Sequence, residues 1–359
     1  MTKNRSKICV CATFVVPLQR KRITHLIGQT MIQIIGPCAA ETEEQLRLCA
    51  QAIPAGSILR AGIWKPRTSP DTFQGVGDEG LQWLAHIHQD FGIAVATEVS
   101  TPEQVEKALQ SGINHLWIGA RTCANPIQVQ TLADALAAAV QRGLPRPETI
   151  WVKNPVNDDA TLWLGNIHRL QRTGIPVGAI HRGCNHHPCW HMAHTLRTQC
   201  PDIPLLLDPS HMTGDSELVP DCCLAAHALG YDGYMVEVHP HPSQALSDSR
   251  QQLQPDEWKT LLAQLQSLPH PTGDMELRWL RQEMDEVDDA LWETLLRRMA
   301  ISRRIGDHKR QTGIGIVQPQ RFSQMLERRK EWAEKHNISP KSVQEIMEAI
   351  HRESVRVQK

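Results

Sequence analysis

The sequence predicts an α/β protein, a closed (β/α)8 TIM barrel followed by a small all-α domain of three helices. In the middle of the chain, eight short apolar runs recur at intervals of about 20 to 35 residues, and helix-like segments lie between most of them. Towards the C-terminus, apolar residues instead recur every three or four positions, as in amphipathic helices. Eight strands that alternate with helices within about 235 residues favour a closed barrel over an open sheet.

The apolar runs are the predicted strands of the barrel, which we place at residues 29–265. In chain order they read MIQIIG, SILRAG, IAVATEV, HLWIGA, TIWVKN, VGAIHRG, PLLLDPS and GYMVEVH. The segment TPEQVEKALQSG illustrates the intervening helices, with Thr101 as N-cap, Pro102 at the first helical position and Gly112 at the exit. This alternation gives each predicted strand a helix to return the chain.

Polar side chains follow the predicted strands at the point where each strand ends. In order they are Cys38, Arg60, Glu98, Arg121, Lys153, His181 with Arg182, Asp208 with His211, and Glu237 with His239. The C-terminal ends of barrel strands meet at one mouth, where the active sites of such barrels are built. An ion-paired structural rim explains any single member, but it does not require a polar residue at every strand end. The whole series therefore indicates a site.

The chain changes character after the barrel. Pro269, Pro271 and Gly273 break the helical pattern, and we place a linker at residues 266–274. A long helix is expected from there to about residue 310, and two shorter helices near residues 319–336 and 340–357. The apolar row of the long helix consists of Leu277, Leu280, Met284, Val287, Leu291 and Leu295. Three helices alone would not bury these faces, so we expect residues 275–359 to form an intertwined homodimer, alone or within a higher oligomer.

Composition excludes several classes of function. The chain has 359 residues, a formal net charge of −1 and a pI near 7.0, which argues against nucleic-acid or membrane-surface binding. Its ten cysteines do not form the dense framework of a small secreted protein, so we expect reduced thiols and a cytoplasmic location. Residues 1–28 have basic flanks, but Pro17 and the following QRKR replace a signal-peptide cleavage site. We regard them as an extension of unknown role.

Positive charge is concentrated locally, in the stretch LRAGIWKPRTSPDTFQG at residues 59–75. Arg60, Lys65 and Arg67 lie within eight positions of it. Pro66 and Pro70 restrict the backbone and so reduce the cost of ordering a cationic loop.

The motifs of the barrel resemble a known family. GPCAAE, RAGIWKPRTSPDTFQG, IGART, DPSH, MVEVHP and ALSDS occur in order from about residue 31 to residue 250. Together they resemble the motif set of 3-deoxy-D-arabino-heptulosonate 7-phosphate (DAHP) synthases of the shorter class, which is related to 3-deoxy-octulosonate 8-phosphate synthase. The resemblance implies a metal-dependent barrel enzyme that joins phosphoenolpyruvate to erythrose 4-phosphate and releases phosphate.

The resemblance also explains the local cations. The two substrates together carry about five negative charges, which several guanidinium and ammonium groups must neutralise and orient. By match to the family motifs, phosphoenolpyruvate would be held by Arg60, Lys65, Arg121, Lys153 and Arg182. Arg67 and Thr68 would take the phosphate of erythrose 4-phosphate. Lys65, between the two subsites, would also donate a proton to the aldehyde oxygen.

A divalent metal ion is implied by the same resemblance. Cys38, His211, Glu237 and Asp248 occupy the family's four ligand positions. A thiolate, an imidazole and two carboxylates suit Mn, Fe, Co or Zn, and the sequence does not choose among them. A second segment, HRGCNHHPCWHMAH, crowds His186, His187, Cys189, His191 and His194, but it lacks the two separated ligand pairs of a structural zinc site. We interpret it as a histidine-rich helix after the sixth strand.

The helical tail resembles another family. LRQEMDEVDDALWETLLRRMAISRRIGDHK is similar to the first helix of the all-helical chorismate mutases, which rearrange chorismate to prephenate. The match implies roles for Arg281, Arg298, Lys309, Arg321, Ser354 and Gln358. Arg281 and Arg298 are 17 positions apart, about 25 Å on one straight helix, so a shared substrate requires a dimer. A solvated helical face is the alternative interpretation of these cations.

The sequence thus favours a bifunctional shikimate-pathway enzyme and leaves two alternatives open. The barrel alternative is 3-deoxy-octulosonate 8-phosphate synthase, which uses arabinose 5-phosphate. The motif KPRTSP favours the four-carbon erythrose 4-phosphate instead, because the related enzymes usually show an Asn-Arg pair in place of Pro66 and Arg67. The tail alternative is a non-catalytic module that senses chorismate or prephenate and dimerises the barrel.

Overall fold

A computed structural model describes residues 31–65 and 71–359. The described residues form a closed barrel of eight parallel strands in the order β1 to β8, in which β1 also pairs with β8. The strands are β1 (Ile32–Gly36), β2 (Ile58–Arg60), β3 (Val95–Glu98), β4 (His115–Ile118), β5 (Thr149–Lys153), β6 (Val177–His181), β7 (Leu205–Leu207) and β8 (Gly233–Glu237). Each lies within one of the apolar runs, so the predicted barrel is confirmed.

Helices follow the strands and return the chain to the start of the next one. They are α1 (Glu43–Ala52), α2 (Glu79–Phe91), α3 (Pro102–Gln110), α4 (Ala120–Cys123), α5 (Pro126–Gln141), α6 (Ala160–Gln171), α7 (Trp190–Gln199), α8 (Pro209–Thr213), α9 (Val219–Ala228) and α10 (Pro255–Ser267). The side chain of Thr101 caps α3 by accepting a hydrogen bond from the amide of Gln104, and Gly112 adopts a left-handed φ of 72° after the helix.

Two apolar layers hold the barrel together. Along β1, Ile32 and Ile34 belong to the small inner cluster, which also contains Trp117 and Trp151. Ile35 belongs to the larger cluster between strands and helices. Since successive strand residues face opposite sides, this alternation fills the interior and also binds the helical layer. The strands are thereby fixed, and so are the side chains at their C-terminal ends.

The C-terminal part is helical, as predicted. It consists of α11 (Met275–Thr312), α12 (Pro319–Lys335) and α13 (Pro340–Gln358). The chain divides into two compact units, the first ending at Glu283 and the second spanning Met284–Lys359. In the second unit Met299, Leu326 and Ala333 are buried apolar residues, whereas several large apolar side chains of α11 are exposed. No helix in the described parts of the chain has the length and apolar character that a membrane span requires.

Candidate active sites

A polar cleft of about 290 Å³ lies at the C-terminal ends of the barrel strands. Four cationic side chains line it: Lys65, Arg121, Lys153 and Arg182. Two other cavities of the first unit are larger, but that of about 460 Å³ is lined by Asp256, Glu257 and uncharged residues. That cavity therefore cannot neutralise a phosphate ester. The other, of about 450 Å³, contains one arginine, Arg197, which already pairs with Asp232 at 2.8 Å. The cleft at the strand ends is thus the candidate site for anionic substrates.

Arg60, the last residue of β2, lies beneath this mouth with 1% of its surface exposed. One Nη atom donates a hydrogen bond of 3.0 Å to Oε1 of Glu237, and the guanidinium lies over the Trp117 ring at 5.1 Å. Its Nε and Nη1 atoms have no hydrogen-bond partner among the described residues. Buried donors without partners destabilise the fold, so an anion that accepts hydrogen bonds from these two nitrogens would be bound favourably.

Lys153, at the end of β5, is buried and paired. Its Nζ donates to Oδ2 of Asp208 at 2.6 Å, and Nδ1 of His211 lies 3.0 Å from Oδ1 of the same carboxylate. Burial alone would raise the pKa of Asp208, but the charges of His211 and Lys153 outweigh it and hold that pKa well below its usual range. Asp208 therefore stays ionised and orients both neighbours.

The remaining cationic side chains of the cleft are more exposed to solvent. Arg121 is exposed on α4, and Arg182 is half-buried directly after β6. The Asn154 side chain fixes the backbone of Arg182 by accepting a hydrogen bond of 2.7 Å from its amide. The predicted Arg67 and Thr68 lie outside the described residues.

The four predicted metal ligands form two contacting pairs. In the first, the Cys38 thiol donates to Oδ2 of Asp248 at 2.9 Å, and Nζ of Lys65 lies 3.0 Å from the same sulfur. In the second, Nε2 of His211 lies 3.6 Å from Oε1 of Glu237. Burial, followed by the charge of Glu237, raises the pKa of Cys38 to about 12.

The sequence analysis assigned no individual function to three polar residues beside the cleft. Asp208 and Glu98 were recognisable as strand-end residues, but their contacts were not. Glu98 accepts a hydrogen bond from Nε1 of Trp117, and a Cβ atom at Gly119 would lie 1.9 Å from its carboxylate, so a side chain at position 119 would displace that carboxylate. Gln251 follows β8 and donates to Glu237 at 2.8 Å; no local pattern indicates that contact.

A second polar cluster lies inside the helical unit. Nζ of Lys309 is 3.3 Å from Oε1 of Gln358, and Arg298 donates to the Ser354 hydroxyl. Lys309, Ser354 and Gln358 are buried. A Cβ atom at Gly306 would lie 2.7 Å from Cα of Gln358, so this glycine lets α13 approach α11 closely. Four of the six predicted residues are thus brought together in the second unit.

The other two predicted residues of the tail are exposed. Arg281 lies on α11 within the first unit, and Arg321 lies in the first turn of α12. Phe322, next to Arg321, stacks on His351 with ring centroids 4.0 Å apart. The charges of Arg298 and Lys309, together with burial as the largest cause, lower the pKa of His351, so both cations act on one region of the unit.

A parallel barrel with a cationic cleft at its strand ends defines an enzyme class that acts on phosphorylated or other anionic substrates. Residues 15–270 match the DAHP synthetase I family, and the chain belongs to that family. Residues 280–359 match chorismate mutase type II, so the helical region is a domain of this type. Both are enzyme families, and the pair supports a bifunctional enzyme of the shikimate pathway.

Individual relatives agree with this placement. The phospho-2-dehydro-3-deoxyheptonate aldolase of Thermotoga maritima is 30% identical over 261 residues, which cover 69% of this chain and 72% of the relative. Its crystal structure superimposes with a TM-score of 0.58 at 27% identity, covering 66% of this chain and 68% of that one. A 2-dehydro-3-deoxyphosphooctonate aldolase of Wolinella succinogenes is 26% identical and is covered over 99% of its length, against 66% of this chain.

Proposed function

We propose that the barrel condenses phosphoenolpyruvate with erythrose 4-phosphate to DAHP and phosphate, and that the helical domain rearranges chorismate to prephenate. The observation that carries the barrel proposal is Arg60, buried at the strand ends with two guanidinium nitrogens that lack a partner among the described residues. We further propose a cytoplasmic enzyme whose functional parts are the barrel at residues 29–265, the linker at 266–274 and the mutase at 275–359.

Phosphoenolpyruvate would lie in the cationic cleft. Its binding residues would be Arg60, Lys65, Arg121, Lys153 and Arg182. Guanidinium groups make bidentate contacts with carboxylate and phosphate, so the ligand would be oriented as well as neutralised. Arg67 and Thr68 would hold the phosphate of erythrose 4-phosphate, on the strength of the family motif. Lys65, which lies beside Cys38, would deliver a proton to the aldehyde oxygen as the new C–C bond forms.

A divalent metal ion would be held by Cys38, His211, Glu237 and Asp248. The donors fit such an ion, since a thiol that contacts one carboxylate and an imidazole beside another are ligand types that borderline divalent ions accept. The bound ion would polarise the aldehyde carbonyl. Asp208 would keep the His211 ring in one orientation through their hydrogen bond of 3.0 Å. The choice among Mn, Fe, Co and Zn is left to measurement.

Chorismate would bind in the helical cluster. Arg281 and Arg298 would clamp its two carboxylates with help from Arg321, and Ser354 would position Arg298. Lys309 and Gln358 would donate to the ether oxygen as negative charge develops there. A pericyclic rearrangement needs no nucleophile or general base, so electrostatic preorganisation supplies the rate.

A second copy of the chain would complete this site. The proposal is supported by the apolar row of α11, whose members Met284, Val287 and Leu291 in the second unit are exposed. Arg281 of one chain would then reach the pocket formed by Arg298, Lys309 and Gln358 of the other. Mixing Arg281→Ala with Gln358→Ala protein should restore part of the mutase activity, because a mixed dimer contains one pocket without either defect. No recovery despite verified subunit exchange would exclude the shared site.

The reactions are tested with purified full-length protein. Phosphate release is measured with phosphoenolpyruvate plus either erythrose 4-phosphate or arabinose 5-phosphate, and chorismate consumption is followed separately. We expect turnover with erythrose 4-phosphate and with chorismate. Preference for arabinose 5-phosphate would favour the activity named for the Wolinella relative. An inert tail that nevertheless binds prephenate would favour the sensing module.

The cleft itself is tested by a conservative change. Arg60→Lys keeps the positive charge but removes the planar fork, so kcat/KM for phosphoenolpyruvate should fall by at least about 10-fold. The matched control is Arg47→Lys, because Arg47 is a half-buried arginine paired with Glu43 and Asp90 outside the cleft. Equal kinetics for both variants would remove Arg60 from the phosphoenolpyruvate site.

A further inference from the structure

A second group of metal-ligating atoms lies beside the cleft, apart from the four predicted ligands. A carboxylate oxygen of Asp158 and the Sγ atoms of Cys184 and Cys189 all lie within 4.8 Å of one another. Asp158 belongs to the loop between β5 and α6, and the cysteines belong to the loop between β6 and α7. Both thiols are buried and Asp158 is exposed. Three ligands of two chemical types from two loops thus converge on one point.

The backbone of the second loop is folded so that its two cysteines converge. The amide of Cys184 donates to the carbonyl of His187 at 2.8 Å, and the amide of His187 donates back at 2.9 Å. Asn185, His186 and Cys189 have φ values of 51°, 64° and 50°, in the left-handed region that non-glycine residues seldom occupy. Such a conformation persists only where its surroundings impose it, so the proximity of the two sulfurs is a built feature of the loop.

The carboxylate of Asp158 is itself held in place. Nε2 of His191, in the first turn of α7, lies 2.6 Å from Oδ1 of Asp158. A histidine on one carboxylate oxygen leaves the other oxygen for a ligand, as in the carboxylate–histidine pairs around protein metal sites. The sequence interpretation counted ligands only within the histidine-rich segment and so missed Asp158, which the barrel brings from the preceding loop.

We propose that Asp158, Cys184 and Cys189 bind a zinc ion, with water as the fourth ligand and His191 orienting the carboxylate. Two thiolates and one carboxylate select a thiophilic ion over Mg²⁺, Ca²⁺ or Mn²⁺. Zn–S bonds of about 2.3 Å and Zn–O bonds of about 2.0–2.2 Å place tetrahedral ligand atoms roughly 3.5–3.8 Å apart. The observed separations need only a small closure. Binding releases the two thiol protons to solvent.

The zinc ion would tie together two loops that flank the synthase cleft. Val156 of the first loop and both Arg182 and His186 of the second line that cleft. Clamping these loops would preorganise Arg182 for its substrate, a consequence that rests on the proposed synthase function. Zinc binding itself does not rest on that function and is measured without any substrate.

The test uses full-length Cys38→Ser protein, stripped with a chelator and kept reduced with a phosphine. Removing Cys38 leaves the proposed synthase metal site without a thiolate. The part of the thiolate-to-metal charge-transfer band on adding Cd²⁺ or Co²⁺ that is lost in Cys189→Ser then reports on the cysteine pair. We expect such a band that saturates at one equivalent per chain, and displacement of the ion by Zn²⁺. In the same background, Cys189→Ser should weaken Zn²⁺ binding by more than about 100-fold, and His191→Gln by about 10-fold.

Asp158→Asn keeps the test decisive if the cysteine variants do not fold, because Asp158 is exposed. It should weaken Zn²⁺ binding by at least about 10-fold, whereas the control Asp202→Asn, another exposed aspartate, should not. Absence of a charge-transfer band in the Cys38→Ser protein would overturn the proposal. So would a band of unchanged intensity in Cys189→Ser, or identical Zn²⁺ affinities for Asp158→Asn and Asp202→Asn.

Discussion

The two units differ in how much of their apolar surface they bury. In the first, large apolar residues such as Trp258 and Trp117 are each 1% exposed. In the second, Trp292 and Leu296 are 61% and 71% exposed, while Lys309 and Gln358 are 9% and 8% exposed. The barrel thus encloses its own apolar core, whereas the helical unit encloses mainly its polar cluster and leaves apolar surface open.

This difference separates the two candidate sites physically. The barrel site is assembled from strand ends that its own core fixes, and most of its polar groups have partners within the same unit. The helical site that we propose is completed only when a second copy covers the open apolar face. Substitutions in the barrel should therefore change only the synthase activity, and substitutions in the helices should change only the mutase activity.

Metal removal should separate the sites most sharply. Dialysis against a chelator should abolish synthase activity, because the two ligand pairs around Cys38 and Glu237 would lose the ion that we propose they share. Mutase activity should stay nearly unchanged, since its cluster uses only hydrogen bonds and ion pairs. Both activities are measured on one sample, and adding Mn²⁺ back is the control. Parallel loss of both, with the fold retained by circular dichroism, would contradict two independent chemistries.

Deleting Gln358 and Lys359 should have the converse effect. Gln358 lies 3.3 Å from Nζ of Lys309 and is the last residue of α13, so the deletion removes this group and shortens the helix by one residue. Mutase kcat should fall by about 10²-fold, by analogy with the loss of an oxyanion-hole donor, while synthase kcat is unchanged. Deleting Lys359 alone is the matched control. A mutase that tolerates loss of both residues would exclude Gln358 from the reaction.

The fold was largely predictable because its determinants are local. Apolar runs gave the strands, and the Thr101 cap and Gly112 exit gave the limits of a helix, since both act on neighbouring backbone groups. Strand-end position also identified Arg60 and Lys153, because parallel strands bring their ends to one mouth.

The contacts within the sites were less predictable, because they join residues that are distant in sequence. Asp208 pairs with Lys153 across three strands of the barrel, and Gln251 reaches Glu237 from a loop. No periodicity or spacing records such contacts. The proximity of Asp158 to Cys184 has the same origin, since the two loops meet only once β5 and β6 have paired.

A smaller, local change should loosen the helical site alone. Gly306→Ala places a methyl group 2.7 Å from Cα and 2.8 Å from the carbonyl oxygen of Gln358, so α13 must shift. Alanine favours the helix itself by about 1 kcal/mol over glycine, so any loss comes from the displaced Gln358. Mutase kcat should fall by about 10-fold, as steady-state assays can measure, with synthase kcat unchanged. The control is Gly165→Ala in α6, where the nearest atom belongs to the flexible Arg169 side chain. Unchanged mutase kcat in Gly306→Ala would refute the tight-approach argument.

The smallest expected effect concerns the first residues of α11, which the first unit holds through a histidine. His194 of α7 lies 3.0 Å from Glu276 and 2.5 Å from Glu283, and its ring stacks parallel on Trp279. Burial lowers the pKa of His194, but the two carboxylates outweigh it and raise that pKa above its ordinary value of 6.5. The protonated ring thus stabilises the fold fully below pH 6.5, and this contribution is lost as the pH rises through the raised pKa. Since the carboxylates are partly open to solvent, the contribution should be about 1 kcal/mol or less.

In urea titrations, wild type should exceed His194→Gln in stability more at about pH 6 than at about pH 9. The exposed His270→Gln serves as the control variant. A difference between wild type and His194→Gln that is the same at both pH values would mean that stacking on Trp279, and not charge, holds α11 at this point.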